Sequence, residues 1–415
     1  MPWSWSRPGE GDRPPPATRT FRRWRRDSVR GRPADGGRHN AFRVLTTGVS
    51  TMVDAVVIGA GQAGLSAAYF LRRFGIEFVI IDADAGPGGA WRHRSPTLTM
   101  DKVHGIFDLP GARLSPPDDG GLPAARVVPA YFARYETQMR LPVLRPVRVR
   151  SVRRDGDRLL VTSSRGEWAA RAVVNATGTW SRPYWPFSPG AATFAGRQLH
   201  YVDYRGPEEF AGRRVVVVGG GNSAAHVLSE IAGVAEATLW VTRRPPVFRT
   251  DDFDAEEGRA AVALVEERVR AGLPPQSVVS VTGLGYTTVV REALAKGALN
   301  RLPMFARITP GGVAWDDGRT EDADVIVWAT GFRSAIDHLA PLRLREPGGG
   351  IRMDGTRVVA EPRLHLVGYG PSASTVGANR AGREVAREVR RLLLGSGESG
   401  GSGGPAVAAP LAPTA

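Results

Sequence analysis

The chain has no cysteine in 415 residues. Disulfides, thiolate metal sites and a Cys-x-x-Cys redox pair are therefore excluded. Lysine is nearly absent as well: of 55 basic residues only Lys102 and Lys296 are lysine, so arginine carries the formal charge of +14. No stretch approaches the roughly 18 consecutive apolar residues of a transmembrane helix. The pairs Arg22-Arg23 and Arg25-Arg26 are followed by no apolar run, so the N-terminus does not read as a secretory or twin-arginine signal. A cytoplasmic protein is the expectation that these absences leave.

The basic excess is unevenly placed. Residues 1–51 hold eleven arginines against four acids, which is +7 and half of the total. That segment is rich in Arg, Pro and Gly, lacks apolar periodicity, and is expected to be disordered. Met52 stands at the edge of the first apolar strand and is expected to be the true start. A basic tether for nucleic acid or an acidic membrane, with Trp3, Trp5 and Trp24, is the alternative; a nucleic-acid partner is not expected for the rest of the chain. Residues 395–415 are Gly, Ser, Pro and Ala and read as a disordered tail.

Between these ends lie two glycine turns, each closing an apolar strand. Val56-Val57-Ile58 runs into Gly59-Ala60-Gly61-Gln62-Ala63-Gly64, a G-x-G-x-x-G pattern. Val215 to Val218 runs into Gly219-Gly220-Gly221-Asn222-Ser223-Ala224, which reads G-x-G-x-x-A. The first glycine permits the tight turn, the second lets backbone approach a pyrophosphate, and the third position must be small for helix and strand to pack. The pyrophosphate then rests on the helix N-terminus. One such turn is weak evidence, but two imply two bound dinucleotides.

The strand that follows each turn separates the two sites. Phe78–Ile81 ends in Asp82, where a carboxylate takes a ribose hydroxyl. Ala237–Val241 instead ends in Thr242-Arg243-Arg244, where arginines suit a 2′-phosphate. The first site reads as FAD and the second as NADPH. Disulfide reductases share this plan, and the lack of cysteine removes them.

The expected architecture is α/β, with two Rossmann-like dinucleotide-binding domains and the NADPH domain inserted into the FAD domain. Residues 52–182 and 326–394 form the FAD-binding parts, and residues 183–325 the NADPH-binding domain. Predicted elements are a helix over 62–74, paired strands over 143–152 and 158–162, buried strands over 172–176, 324–328 and 364–367, and a helix over 379–394. Two linkers, 177–189 and 330–333, join the domains and allow a hinge.

Phe194-x-Gly196-x-x-x-His200-x-x-x-Tyr204, just before the second turn, resembles the identifying sequence of the flavin-containing monooxygenases and their Baeyer–Villiger relatives. Gly88-Gly89-Ala90-Trp91, Ala176-Thr177-Gly178-Thr179, Ala329-Thr330-Gly331-Phe332 and Gly368 match further pieces, so the resemblance covers residues 52–394. It implies that Gly89, Trp91, Thr177, Gly178, Gly368, Thr330 and Gly331 join the glycine turns in binding cofactor. It also implies that His200 is an interdomain element responding to NADPH, with a locally bonded linker histidine as the alternative.

Tyr204 stands where the Baeyer–Villiger branch has Trp, and Pro96-Thr97 replaces that branch's aromatic-proline pair; both point to the N- or S-oxygenating branch. Asp101 stands where these enzymes tend to have Asn near the flavin, and reads either as a polar group there or as a solvated loop acid. The resemblance implies that NADPH reduces FAD, that O2 reacts there, and that a small-molecule amine or sulfide receives one oxygen. An oxidoreductase serving another acceptor and a non-catalytic flavoprotein regulating a partner such as a transporter are the rivals. His93, His104, His226, His338 and His365 show no metal-ligand spacing.

Overall fold

The computed structural model describes residues 50–103, 106–115, 117–249, 255–276 and 283–395. The expected N-terminal extension and C-terminal tail, apart from their inner ends, and His104 lie outside the described residues.

Strand β1 (Thr51–Ile58), helix α1 (Gln62–Arg73) and strand β2 (Phe78–Ile81) form the first βαβ unit. β1 begins one residue before the expected boundary at Met52. It lies in the middle of a nine-stranded sheet, parallel to β2 on one side and on the other to a strand ending at Asn175. Helices cover both faces of such parallel strands, so they read as unbroken Val and Ile runs. The C-terminal helix Thr375–Gly395 crosses α1 at close range: a Cβ on Gly382 would sit 2.3 Å from Ser66 Oγ and 2.8 Å from the Ala67 nitrogen.

Helix α2 (Ala124–Gln138), which the sequence reading did not include, buries Val128, Tyr131, Phe132 and Tyr135 at helical spacing. Its tyrosine hydroxyls fasten the loop beneath it, Tyr131 donating to the Ala112 carbonyl and Tyr135 to the Pro110 carbonyl. The single strand expected over 143–152 is two. β3 (Val143–Leu144) extends the parallel sheet beside β2, while β4 (Val149–Asp155) turns away to pair with β5 (Arg158–Ser163). Pro146, which has no N–H to give a ladder, stands at the break. β6 (Gly166–Asn175) continues from β5 as a hairpin and returns to β1. Glu361–Leu366 then joins the far side of β6, so the chain re-enters this sheet after a long excursion.

That excursion is a second, five-stranded parallel sheet. β7 (Arg197–His200), β8 (Arg214–Val218), helix α3 (Asn222–Ile231) and β9 (Ala237–Thr242) are joined by strands Arg301–Pro303 and Val325–Trp328. The order is 301–303, β9, β8, 325–328, β7. Val325–Trp328 pairs along its whole length with β7 and β8. The expected boundary between residues 325 and 326 therefore cuts a strand of this sheet, and the division lies beyond Trp328. A three-stranded antiparallel sheet over 307–322 covers one face, and Phe305, Ile308 and Trp315 pack with Trp328.

Candidate active site

The first glycine turn opens into a cavity of about 750 Å3. Gly59, Gly61, Gln62, Ala63, Asp82, Gly89, Trp91, Thr177, Gly178 and Gly368, all named from the sequence, line it. Each glycine has its own reason. Gly59 has φ +101°, and a Cβ there would meet the Ala176 oxygen at 2.6 Å. Gly64 does not line the cavity; a Cβ on it would lie 1.9 Å from the Gly59 oxygen, so its smallness serves helix–strand packing. Gly61, with φ −82°, has open space, its hypothetical Cβ meeting only the Gly89 Cα at 3.9 Å. Nothing in the protein fills that space, as a turn receiving a pyrophosphate requires.

Asp82 is buried and grips the turn. Its Oδ2 accepts from the Ala60 nitrogen at 2.6 Å and its Oδ1 from the Asp84 nitrogen at 2.8 Å. Arg145, locked by two 2.7 Å bonds to Glu136, stands 3.8 Å from it. The carboxylate is thus oriented before any ribose arrives. Gln62 donates to Asn379 Oδ1 at 3.0 Å, while its buried Oε1 has no partner among the described residues. His338 lines the cavity and bonds Asn175 Oδ1 at 2.7 Å. Burial pushes its imidazole down to about 4, so it is neutral near pH 7.

At the second turn Gly219 has φ +146°, and a Cβ would strike the Ala329 oxygen at 2.2 Å. Gly221, with φ −117°, has nothing within 4 Å of the same position. Asn222, Ser223 and Ala224 open α3, and Ala224 is fully buried where the first turn has Gly64. Arg243 and Arg244 are exposed just past β9. A third arginine, which sequence reading missed, joins them from the neighbouring strand: Arg301 Nε donates to Thr242 Oγ1 at 2.7 Å.

The two Ala-Thr-Gly triplets are counterparts. Each alanine carbonyl abuts the first glycine of its own domain's turn, and each threonine reaches across to the opposite linker. Thr177 Oγ1 donates to the Ala335 carbonyl at 2.7 Å, and Thr330 Oγ1 to the Tyr184 carbonyl at 2.5 Å. Backbone bonds Tyr184 N–H to Gly331 O and Arg333 N–H to Arg182 O complete the crossing. Thr330 and Gly331 therefore sit where the linkers meet and do not line the first cavity.

All four fingerprint residues have a structural task. Gly196 lets β7 lie against Asp324, whose oxygen would be 2.4 Å from a Cβ, with the Phe194 ring at 2.5 Å over the same spot. His200 is wholly buried; its Nε2 bonds Gly331 O at 3.1 Å while its Nδ1 accepts from the Val202 nitrogen at 3.3 Å. That pairing requires the Nε2–H tautomer, and burial lowers the ring's pKa. The histidine thus ties β7 to the second linker. Tyr204 donates to Glu230 Oε2 at 2.6 Å. Burial would raise the Glu230 carboxyl, but His226, Tyr204 and Thr97 together hold it down at about 2. Through Thr97 and Lys102, the segment after Trp91 is docked onto α3.

Asp101 is exposed, its carboxylate taken by Thr99 and its carbonyl by Thr288, and it does not line the cavity. Its position matches the solvated loop acid. The residues that reading missed, Arg94, Trp180 and His338, line the cavity from three separate segments whose spacing carries no periodic signal.

A family profile described as pyridine nucleotide-disulphide oxidoreductase matches residues 56–258. The uncharacterized oxidoreductase CzcO of Bacillus subtilis is 32% identical over 69% of this chain and 83% of its own. OTEMO, solved in complex with FAD and NADP, superposes with a TM-score of 0.59 at 19% identity, covering 84% of this chain and 86% of that one, a likeness of fold. A flavin-containing monooxygenase from Stenotrophomonas maltophilia is 42% identical, with a TM-score of 0.72 over 83% of this chain and 99% of that one. With its two dinucleotide turns, its fingerprint and this likeness, the chain belongs to the flavin-containing monooxygenases, a family of flavin-dependent oxidoreductases.

Proposed function

We propose that the protein is an NADPH-using monooxygenase that keeps FAD at the first turn, exchanges NADPH at the second, and oxygenates a small amine or sulfide. The balance is NADPH, a proton, O2 and substrate going to NADP, water and oxygenated substrate. When bound, the flavin supplies the redox and oxygen chemistry; the protein positions it and keeps water out. Gly59, Gly61 and Asp82 would hold its pyrophosphate and ribose, with Gly89, Thr177, Gly178 and Gly368 around it. Arg243 and Arg244 would take the 2′-phosphate of NADPH, and Thr242, fixed by Arg301, holds their strand end in place. His338, neutral and tied to Asn175, holds its proton away from the reaction.

The observation that carries this reading is the pairing of a built, lined cavity at one turn with an arginine-flanked turn joined to it through the fingerprint. The test is oxidation of an aryl methyl sulfide under 18O2, measuring NADPH, O2 and product together. One labelled oxygen in the sulfoxide per NADPH is expected. NADPH oxidation that yields only hydrogen peroxide, or that needs a quinone, would replace this reading with plain electron transfer.

A further inference from the structure

Arg94 lines the first cavity from the loop after Trp91. Its guanidinium carbon lies 4.5 Å from the ring centre of Trp180 and 5.4 Å from that of Trp91, an aromatic bracket that fixes a planar cation. Its Nε is buried without a hydrogen-bond partner, and no carboxylate pairs with it among the described residues. Burial pushes the guanidinium below its usual value, and the one group that answers it is the Tyr201 hydroxyl. A desolvated cation without an anion is costly. Arg145, by contrast, enclosed beside the same cavity's Asp82, is held by the carboxylate of Glu136.

Tyr201 also says where the missing anion lies. Its ring packs edge-on against Trp180, with centroids 6.5 Å apart, and its hydroxyl stands near Arg94 and near Ser223, the second residue of α3 at the second glycine turn. It lies 3.2 Å from His226 Nδ1 of the same helix. Tyr201 thus stands between the guanidinium and the first turns of α3, the helix end where a pyrophosphate rests. Arg94 approaches that end from the flavin side. The adenosine half of the dinucleotide is drawn the other way, toward Arg243 and Arg244 at the end of β9, so the phosphate facing Arg94 is the one next to the nicotinamide.

We propose that Arg94 binds the nicotinamide-side phosphate of NADP(H), so that the flavin domain supplies one of the cofactor's ligands across the domain junction. The inference rests on the reading of the second turn as an NADP(H) site. Arg94 is then a binding residue whose charge is satisfied only when the dinucleotide bridges both domains. The bracket of Trp91 and Trp180 holds it ready in the free protein.

The test uses FAD-loaded protein and calorimetric binding of two probes, NADP and 2′,5′-ADP, which keeps the 2′-phosphate but has no nicotinamide-side phosphate. Arg94→Ala should weaken NADP at least tenfold and leave 2′,5′-ADP within twofold of the parent, with flavin content unchanged. Arg94→Lys, which keeps a charge but loses the fork, should fall between. Unchanged NADP affinity would overturn the proposal, as would equal weakening of both probes, which marks a general disturbance of the domain. If the alanine variant loses its flavin, the lysine variant decides by the same two affinities. A rise in substrate KM with NADP binding intact would assign the cation to a substrate carboxylate and also overturn it. A parent protein that binds neither probe would instead remove the NADPH reading itself.

Discussion

At Gly61 and at Gly221 the backbone is extended and a hypothetical Cβ meets almost nothing, yet the two turns open onto different surroundings. The first faces a cavity whose walls come from β1, β2, the 88–94 loop, the 147–150 segment, both linkers and the start of the C-terminal helix. The second is flanked by exposed Arg243 and Arg244, with Tyr201 and Arg94 approaching from one side. In the function proposed above, the same local device would serve a resident group where many elements enclose it and an exchanging one where few do. What decides residence is the rest of the fold, since the turns themselves are nearly alike.

Matched substitutions should break the comparison most visibly. Gly61→Val and Gly221→Val place a side chain where φ is ordinary and the protein leaves space, so both proteins should fold. Gly61→Val should abolish flavin binding, while Gly221→Val should keep its full FAD and lose NADPH-driven reduction. Flavin absorbance and anaerobic reduction by NADPH read the two outcomes. Retained FAD in Gly61→Val would show that the first turn does not receive the pyrophosphate.

The third position sharpens the same contrast through stability. Gly64→Ala forces a Cβ into the Gly59 carbonyl at 1.9 Å and should cost about 1–3 kcal/mol or more, as overpacking does. Ala224→Gly, at the equivalent place of the second turn, should cost only about 0.5–1 kcal/mol for a helical glycine. Thermal unfolding of both variants makes the comparison; equal losses would contradict a closer helix–strand contact at the first turn.

Cofactor choice gives a smaller effect. A charge-assisted bond to a 2′-phosphate is worth about 1.5–3 kcal/mol. Arg243→Ala or Arg244→Ala should therefore raise the NADPH KM about tenfold or more and barely touch NADH. Steady-state kinetics with both cofactors checks this, and an unchanged ratio in both variants would move the 2′-phosphate elsewhere.

A last expected effect is a pH dependence confined to the first region. His338 in the fold titrates at about 4, below the ordinary histidine value of 6.5. The unfolded chain binds that proton more readily, so its contribution is full above pH 6.5 and is lost as the pH falls toward 4. His338→Gln should flatten the melting temperature between those values; an unchanged slope would mean that another group titrates there.

Much of this was legible in the sequence because backbone constraints leave marks. The glycine turns, Asp82 and the apolar strands before them follow from sterics and burial, and the structure sets each where the pattern puts it. Helix α2 escaped because Pro129 interrupts a Val128, Tyr131, Phe132, Tyr135 pattern that is otherwise helical. The strand expected through residue 146 failed for a local reason, the proline at the break. Val325–Trp328 is an apolar run equally suited to either sheet, and only its pairing with β7 and β8 assigns it. Arg94, His338 and Arg301 were hidden because their meaning lies in what surrounds them, an absent counter-charge or a neighbouring strand, and no spacing encodes that.

The claim that the first turn holds a resident FAD and the second an exchanging NADP(H) is tested most directly by what the protein carries. Purified protein, dialysed at length and then denatured, should release one FAD per chain and no NADP(H), as resolved by chromatography of the released nucleotides. A colourless protein that FAD cannot reconstitute, or one that releases FMN, or one that keeps NADP while FAD dialyses away, would contradict the account.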